Sequence, residues 1–226
     1  MRLVFFLADE NNIPLAKYFV YSNYIREKAE NFFKQENIVP ENILALHLRN
    51  GIDFVSQKHD PVEFFGCILS IFSLKERACD YMNENSNFFA SAQCLGFRLE
   101  KSKLTREICY PSEKIILSQT KKKIKQIQTK VLFVAADGDP MLETFRRQLS
   151  KKNSIKVIKY ERPVGQSEGE AAHIDLYILS RAQHAILNCP SSFSAFAKRQ
   201  RDAQGKSTDF WGIDNERNIH ETNADL

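Results

Sequence analysis

Long apolar runs are missing from this sequence of 226 residues. No stretch reaches the ~18 consecutive apolar residues that a membrane-spanning helix needs, so we expect a soluble or peripheral protein. The apolar run at residues 3–8 is shorter than the core of a secretory signal, and no small-residue cleavage site follows it. On its own, this start of the chain argues against export.

The excess of positive over negative charge is also small. Lys and Arg number 32 and Asp and Glu number 28, which gives a net charge of +4. A nucleic-acid-binding protein needs stronger basic clustering, and the lysine run at residues 121–123 is most simply a solvated helix face. We therefore expect no nucleic-acid partner, whereas an anionic small ligand fits this composition. The 43% hydrophobic and 27% charged content indicates a folded chain of one or two domains.

Three common glycine-containing motifs are absent. The sequence has no G-x-G-x-x-G, no G-x-x-x-x-G-K-[ST] and no G-x-S-x-G. These absences remove dinucleotide oxidoreductases, P-loop enzymes and α/β-hydrolases from the leading candidates, because each class uses its motif to bind phosphate or to expose a nucleophile.

The five cysteines show no metal-binding pattern. They lack C-x-x-C spacing and have no suitably spaced histidines beside them, so we expect no zinc site. Five free, buried thiols would fit a cytosolic enzyme, whereas two disulfides with one thiol left over would fit an oxidising compartment. Composition does not choose between these two interpretations. The cysteines are Cys67, Cys79, Cys94, Cys109 and Cys189.

Hydrophobic patterning predicts an α/β fold. Strands are predicted at residues 43–48, 131–135, 155–160 and 184–187. Helices are predicted at residues 23–35, 113–130, 139–150, 172–181 and 193–204, and a loop-rich region at 51–110. Because strands and helices alternate from Val131 onward, we expect a Rossmann-like, doubly wound parallel sheet with helices on both faces.

Polar residues follow two of these strands, at the sheet edge where α/β proteins bind ligands. Arg49 follows the strand that carries His47, and it could pair with a phosphate or form an ordinary surface salt bridge. Ser191 and Ser192 begin the last long helix, where hydroxyls and free amides could hold a phosphate or merely cap the helix. Together these clusters favour a nucleotide diphosphate as ligand and group transfer as the chemistry.

Three carboxylates have two interpretations each. Asp137 and Asp139 could share a divalent cation, although Asp139 before Pro140 is more simply a helix cap with a first-turn proline. Asp175 is expected in the first turn of its helix, where the helix dipole favours a carboxylate. Alternatively, its two oxygens could accept hydrogen bonds from a guanine base.

Five segments carry a longer pattern in a fixed order. They are HLRNGID (47–53), SAQCLGF (91–97), VAAD (134–137), IDLYIL (174–179) and NCPSSFSAFAKRQRD (188–202). In order and spacing they resemble the protein O-fucosyltransferases that modify EGF-like repeats. The resemblance implies a GT-B fold of which this chain supplies the C-terminal, donor-binding half. Residues 1–40 would then be a remnant of the N-terminal domain or an interdomain helix, and residues 41–226 the GDP-fucose-binding domain.

The resemblance also implies an activity and a set of site residues. The reaction is the inverting transfer of fucose from GDP-fucose to Ser or Thr of EGF-like repeats, without a metal. Arg49 would be catalytic by gripping the β-phosphate and stabilising the departing GDP. The donor-binding residues implied are His47, Leu48, Arg49, Asp175, Ser192 and Phe193, and Asp137 matches a position that lines the donor pocket.

The family setting further implies disulfides, partners and a compartment. The implied pairs are Cys67 with Cys109 and Cys94 with Cys189, which leaves Cys79 unpaired. Acceptors would be folded EGF-like repeats of secreted or cell-surface proteins such as Notch-type receptors, met in the endoplasmic reticulum lumen. The family's N-terminal half, with its Gly-Arg-Phe-Gly-Asn-type loop and signal peptide, has no counterpart here, so we expect an incomplete enzyme. The alternative is a non-catalytic module that binds nucleotide or acts as a chaperone for EGF-like repeats.

Overall fold

The computed structural model describes residues 10–50, 92–96 and 104–213 of the chain. The expectations for residues 51–91, including those for Cys67 and Cys79, lie outside this part. The described strands are β1 (Ile43–Leu48), β2 (Val131–Ala136), β3 (Lys156–Ile158), β4 (His184–Leu187) and β5 (Thr208–Phe210). They form one sheet in the order β3-β2-β1-β4-β5, and each neighbouring pair is parallel.

Helices connect these strands and cover the sheet. A 3-10 helix at Glu10–Tyr18 comes first in the described chain. The α-helices are α1 (Asn23–Gln35), α2 (Ala92–Leu95), α3 (Arg106–Cys109), α4 (Glu113–Ile127), α5 (Leu142–Asn153), α6 (Glu168–Arg181) and α7 (Ser192–Asp202). In the described ranges, no helix combines the length and the apolar character needed to span a bilayer.

Two hydrophobic cores lie on opposite faces of the sheet, because successive side chains of a strand point to opposite faces. Ile43 and Ala45 of β1 pack in the core that includes α1, α6 and α7. Leu44, Leu46 and Leu48 pack in the core that includes α4 and α5. Every residue of β1 is buried, as expected of a central parallel strand covered on both faces. The predicted doubly wound α/β architecture is therefore confirmed.

Helix α1 has the predicted bounds and the predicted N-cap. Ser22 accepts a hydrogen bond from the backbone N–H of Ile25 at 3.3 Å. Its buried face packs in the same core as the sheet, mainly through Ala29, Phe32 and Phe33. The division of the chain at residues 40 and 41 stays a prediction.

The predicted start of α6 at residue 172 is wrong, since the helix begins at Glu168. Ser167 and Glu170 form a capping box, in which Ser167 Oγ accepts from the Glu170 N–H at 3.2 Å and the Glu170 carboxylate accepts from the Ser167 N–H at 2.9 Å. This cap offsets the helix-weakening effect of Gly169. Asp175 is consequently the eighth residue of α6. The expectation that it lies in the first turn of this helix is therefore wrong.

The predicted cap of α5 is also wrong. Asp139 does not cap the helix directly, because its Oδ1 accepts from the Met141 N–H at 2.8 Å and closes a local turn. Met141 then adopts a left-handed conformation (φ 54°), and α5 begins at Leu142 beyond Pro140.

Smaller differences concern element lengths and the sheet edge. Strand β3 is shorter than predicted, and α4 ends at Ile127, where Gln128 takes a left-handed conformation. Strand β5 was not predicted. Its Asp209 accepts from Lys123 Nζ at 2.6 Å, so the lysine run at residues 121–123 is not wholly a solvated face.

Candidate functional site

The candidate site lies where the chain order of the sheet reverses. Strands β2 and β3 extend the sheet on one side of β1, whereas β4 and β5 extend it on the other. Doubly wound sheets bind ligands in the crevice at the carboxyl ends of the two strands at such a point. Arg49 follows β1 and Ser192 begins the helix after β4, so the structure brings the two predicted clusters to the same end of the sheet.

His47 links these clusters directly. Its ring is 3% exposed, its Nδ1 lies 2.6 Å from Ser194 Oγ in the first turn of α7, and the ring packs against Phe193 with centroids 4.7 Å apart. Burial lowers the pKa of His47 to about 4, while Asp137 acts to raise it and Arg49 to lower it. The imidazole is therefore neutral at pH 7.

Arg49 and Asp137 form an ion pair at the ends of the two central strands. The other carboxylate oxygen of Asp137 accepts from the backbone N–H of Asn50 at 2.8 Å, and the Asn50 amide donates to the carbonyl oxygen of Asp139 at 2.7 Å. These bonds hold the segment after β1 against the segment after β2. The Arg49 side chain keeps 24% of its surface exposed, so it can approach a ligand from this position.

The side chain of Leu48 points to the opposite face of the sheet from that of His47. Its side chain is 2% exposed and packs in the core on the α4 and α5 side of the sheet. A ligand at this edge would therefore meet Leu48 through its backbone groups. The predicted role of Leu48 in donor binding stays a prediction.

The acidic pair considered for a metal ion has protein partners. Asp137 pairs with Arg49 and Asn50, and Asp139 closes the turn at Met141. Among the described residues, no cluster of three or more His, Cys, Asp or Glu side chains is arranged to hold a metal. The structure thus places these carboxylates in the framework that positions Arg49.

The N-terminus of α7 presents free donors. Ser191 is the N-cap and accepts from the Ser194 N–H at 3.3 Å. Within the described chain, the backbone N–H groups of Ser192 and Phe193 and the hydroxyl of Ser192 have no hydrogen-bond partner. Both residues are half-buried. Such a helix start favours an anion through its amides and its dipole.

Asp175 is placed in α6 with one oxygen buried. No described residue donates a hydrogen bond to its Oδ1. Burial raises the pKa of Asp175 to about 8, although the positive charge of Lys159 acts to lower it. A buried acceptor without a partner costs free energy, so this oxygen fits a ligand that donates a hydrogen bond.

A disulfide joins α2 to the segment before α7. Cys94 and Cys189 are bonded with Cα atoms 5.7 Å apart, as the resemblance implies. Cys189 directly precedes Pro190 and the Ser191 cap, so the bond tethers the start of α7. The other implied pair involves Cys67, which lies outside the described residues.

Three further residues support the site and were not predicted from the sequence. Asn188 donates from its backbone N–H to Ser194 Oγ at 3.0 Å and from its side chain to the Cys109 carbonyl at 3.2 Å. Trp211 Nε1 donates to the His47 carbonyl at 2.8 Å. Gly138 lies so close to Asn50 that a Cβ there would be 2.9 Å from its Oδ1. No local sequence signal identifies these contacts, because each joins distant parts of the chain.

A cavity of about 720 Å³ lies at the opposite end of the sheet. It is lined by the ends of α1 and α4 and by the residues that lead into β1 and β2, including Lys34, Gln128 and Thr129. Helix C-termini carry negative partial charge, which disfavours a phosphate. Of these two places, the edge that holds Arg49 and the start of α7 suits an anion better.

Comparison with known proteins identifies the family of this chain. Residues 3–204 match the model of the GDP-fucose protein O-fucosyltransferase family. The chain is 32% identical over 204 residues to GDP-fucose protein O-fucosyltransferase 1 of Caenorhabditis elegans, and this match covers 88% of the chain and 44% of the relative.

Solved structures of a protein O-fucosyltransferase also match this chain. A crystal structure of POFUT1 in complex with GDP matches with a TM-score of 0.69 and 31% identity, covering 91% of this chain and 51% of that one. POFUT1 in complex with GDP-fucose matches with a TM-score of 0.69 and 30% identity over the same shares. These matches confirm the predicted Rossmann-like half of a GT-B fold, and the chain spans about half the length of the relatives it matches. The chain belongs to the GDP-fucose protein O-fucosyltransferase family.

Proposed function

We propose that this chain binds GDP-fucose at the carboxyl ends of β1 and β4 and provides the donor-binding part of a protein O-fucosyltransferase. The observation that carries the proposal is the contact between His47 and Ser194. It joins the strand that leads to Arg49 with the first turn of α7, so the end of β1 lies beside the helix start that offers free amides. The family relatives solved with GDP and GDP-fucose support this choice of ligand.

Arg49, the start of α7 and Asp175 suit the parts of a nucleotide sugar. Arg49 and the amides of Ser192 and Phe193 would bind the diphosphate, as the resemblance implies. Asp175 would accept two hydrogen bonds from guanine, whose ring N–H and amino group are donors. Its buried, unpartnered Oδ1 is the observation that fits this role.

Transfer would proceed by displacement at the anomeric carbon. The bond between C1 of fucose and the phosphate oxygen breaks, and GDP leaves with the electron pair. The acceptor Ser or Thr oxygen forms the new bond from the opposite face, which inverts the configuration, and its proton passes to solvent water. Arg49 stabilises the charge that builds on the leaving phosphate, and this interaction is strongest in the transition state.

Acceptor and compartment are proposed from other observations. The motif resemblance supports folded EGF-like repeats of secreted or cell-surface proteins as acceptors. The Cys94–Cys189 disulfide supports an oxidising compartment, for which we propose the endoplasmic reticulum lumen.

Calorimetric titration with GDP tests the site. We expect binding by the unmodified chain and a loss of at least tenfold in affinity for Arg49→Ala, since a charge-assisted pair contributes about 1.5–3 kcal/mol. Arg146→Ala is the matched control, because Arg146 pairs with Glu143 on the exposed surface of α5. Absence of GDP binding by the unmodified chain would contradict the site.

A transfer assay then distinguishes an enzyme from a binding module. The full chain is incubated with GDP-fucose and a folded EGF-like repeat, and the mass of the repeat is measured. A fucose-sized increase supports catalysis by this chain. GDP binding without transfer favours the alternative of a non-catalytic nucleotide-binding or chaperone module.

A further inference from the structure

The hydroxyl of Ser194 joins two groups at the ends of β1 and β4. Its Oγ accepts from the backbone N–H of Asn188 at 3.0 Å and lies 2.6 Å from His47 Nδ1. Ser194 is fully buried. A serine hydroxyl has one hydrogen to donate, and in the described residues His47 Nδ1 is its only acceptor within reach.

This arrangement determines which imidazole nitrogen carries the proton. A protonated Nδ1 would donate to Ser194 Oγ and leave the buried hydroxyl hydrogen without an acceptor, which is costly. An unprotonated Nδ1 accepts that hydrogen and satisfies both groups. We propose that Ser194 holds His47 as the neutral tautomer with its proton on Nε2, so that His47 acts as a hydrogen-bond donor to a phosphate oxygen of the bound nucleotide. Ser194 is thereby a positioning residue that acts through His47.

The surroundings of His47 agree with this role. Burial favours the neutral ring, and the charges of Arg49 and Asp137 both act on it. No described residue accepts a hydrogen bond from Nε2. A donor at Nε2 complements a phosphate oxygen, whereas a lone pair there would repel it. With Nδ1 engaged and Nε2 protonated, His47 has no free lone pair and does not serve as a general base.

The tautomer is measurable without any ligand. We expect ¹H–¹⁵N correlation spectra of the full chain at pH 7 to show an unprotonated Nδ1 and a protonated Nε2 for His47, assigned with His47→Gln. A protonated Nδ1 or a charged ring would overturn the inference. This result does not depend on the proposed function, which fails separately if the unmodified chain does not bind GDP.

The link to ligand binding, which rests on the proposed function, is tested with Ser194→Ala. We expect the His47 nitrogens to show a mixture of tautomers and the affinity for GDP to fall about tenfold, as for one lost hydrogen bond. Ser194→Thr, which keeps the hydroxyl, should restore the spectrum. Ser180→Ala is the matched control, because Ser180 is an equally buried serine of α6 whose hydroxyl bonds to the Tyr177 carbonyl at 2.8 Å.

Two results would overturn the positioning role. One is an unchanged spectrum in Ser194→Ala, and the other is an altered spectrum with unchanged GDP affinity. If Ser194→Ala does not fold, the spectrum of the unmodified chain still decides the tautomer.

Discussion

Trp211 Nε1 donates a hydrogen bond to the carbonyl oxygen of His47 at 2.8 Å. The indole is fully buried in the core on the α4 and α5 side of the sheet, whereas the His47 ring meets Ser194 and Phe193 of α7, on the other face. The end of β1 is therefore held from both faces, by its backbone on one and by its side chain on the other. Since Arg49 is only two residues away, this double attachment fixes the segment that presents the guanidinium.

Trp211→Phe keeps an aromatic ring but removes the donor to His47. We expect the free energy of unfolding to fall by about 1–3 kcal/mol, because the carbonyl stays buried without its partner. Urea denaturation followed by circular dichroism measures this change. Phe145→Leu is the control, since Phe145 is fully buried in the same core and makes no side-chain hydrogen bond. GDP affinity should fall in Trp211→Phe and hold in Phe145→Leu, and an equal effect of both would contradict the proposed attachment.

Gly138→Ala tests the contact between the segments that follow β1 and β2. The new Cβ would lie 2.9 Å from Asn50 Oδ1 and 3.0 Å from the Asn50 backbone, so the loop that carries Arg49 must shift. We expect a loss of about 1–3 kcal/mol in stability and weaker GDP binding. Gly169→Ala is the matched control, because its Cβ meets nothing within 4 Å and it lies in a helix. The free energy of unfolding of Gly169→Ala should equal that of the unmodified chain or exceed it by up to about 1 kcal/mol.

The sequence was sufficient to predict the framework of the fold. Continuous apolar runs such as residues 43–48 and 131–135 favour strands covered on both faces, and they form the central parallel pair of the sheet. The edge strand Thr208–Phe210 was not predicted, because three residues are too few to establish a period. The start of α6 is hard to predict because Gly169, beside the capping box, is more typical of a loop.

The candidate site was predictable in its parts but not in its internal contacts. Residues at strand ends and helix starts can be identified from local patterns, and the structure places Arg49 and Ser192 at the same end of the sheet. The bond between His47 and Ser194 joins residues 147 positions apart, and only the packing of α7 against β1 brings them together. The carboxylate of Asp137 likewise has two competing interpretations until the position of Arg49 is known.

The Cys94–Cys189 disulfide closes a loop with a sequence separation of 95 residues. We expect loss of this bond to lower the free energy of unfolding by about 2–5 kcal/mol, because the bond restricts the unfolded chain. GDP affinity should also fall, since Cys189 lies two residues before the N-cap of α7. Thermal unfolding of the unmodified chain and of Cys94→Ala/Cys189→Ala, both without reductant, measures the first effect, because reductant would also break the disulfide at Cys109. Calorimetry of the two proteins with GDP measures the second. A double variant as stable as the unmodified chain would contradict the stabilising role of this bond.

Asp175 should make stability depend on pH. Burial raises the pKa of its carboxyl to about 8, so between about pH 4 and pH 8 the folded chain holds a proton that the unfolded chain releases. The contribution of Asp175 to stability therefore decreases as the pH rises through this range. Urea denaturation at several pH values should show that Asp175→Asn lacks this decrease. The difference between the two proteins isolates Asp175, because the other groups titrate in both.

The same carboxyl should make GDP binding depend on pH. Guanine offers two N–H donors, so the ionised carboxylate is the form that binds it, and at pH 7 most of the free chain is protonated at Asp175. We expect GDP affinity to rise between pH 6 and pH 8 and binding at pH 7 to release a proton. Calorimetry in two buffers of different ionisation enthalpy measures this proton. Asp175→Asn should bind weakly with no proton release, whereas Asp202→Asn, which alters an exposed pair with Lys198, should behave like the unmodified chain. An affinity that does not change with pH in the unmodified chain would place guanine away from Asp175.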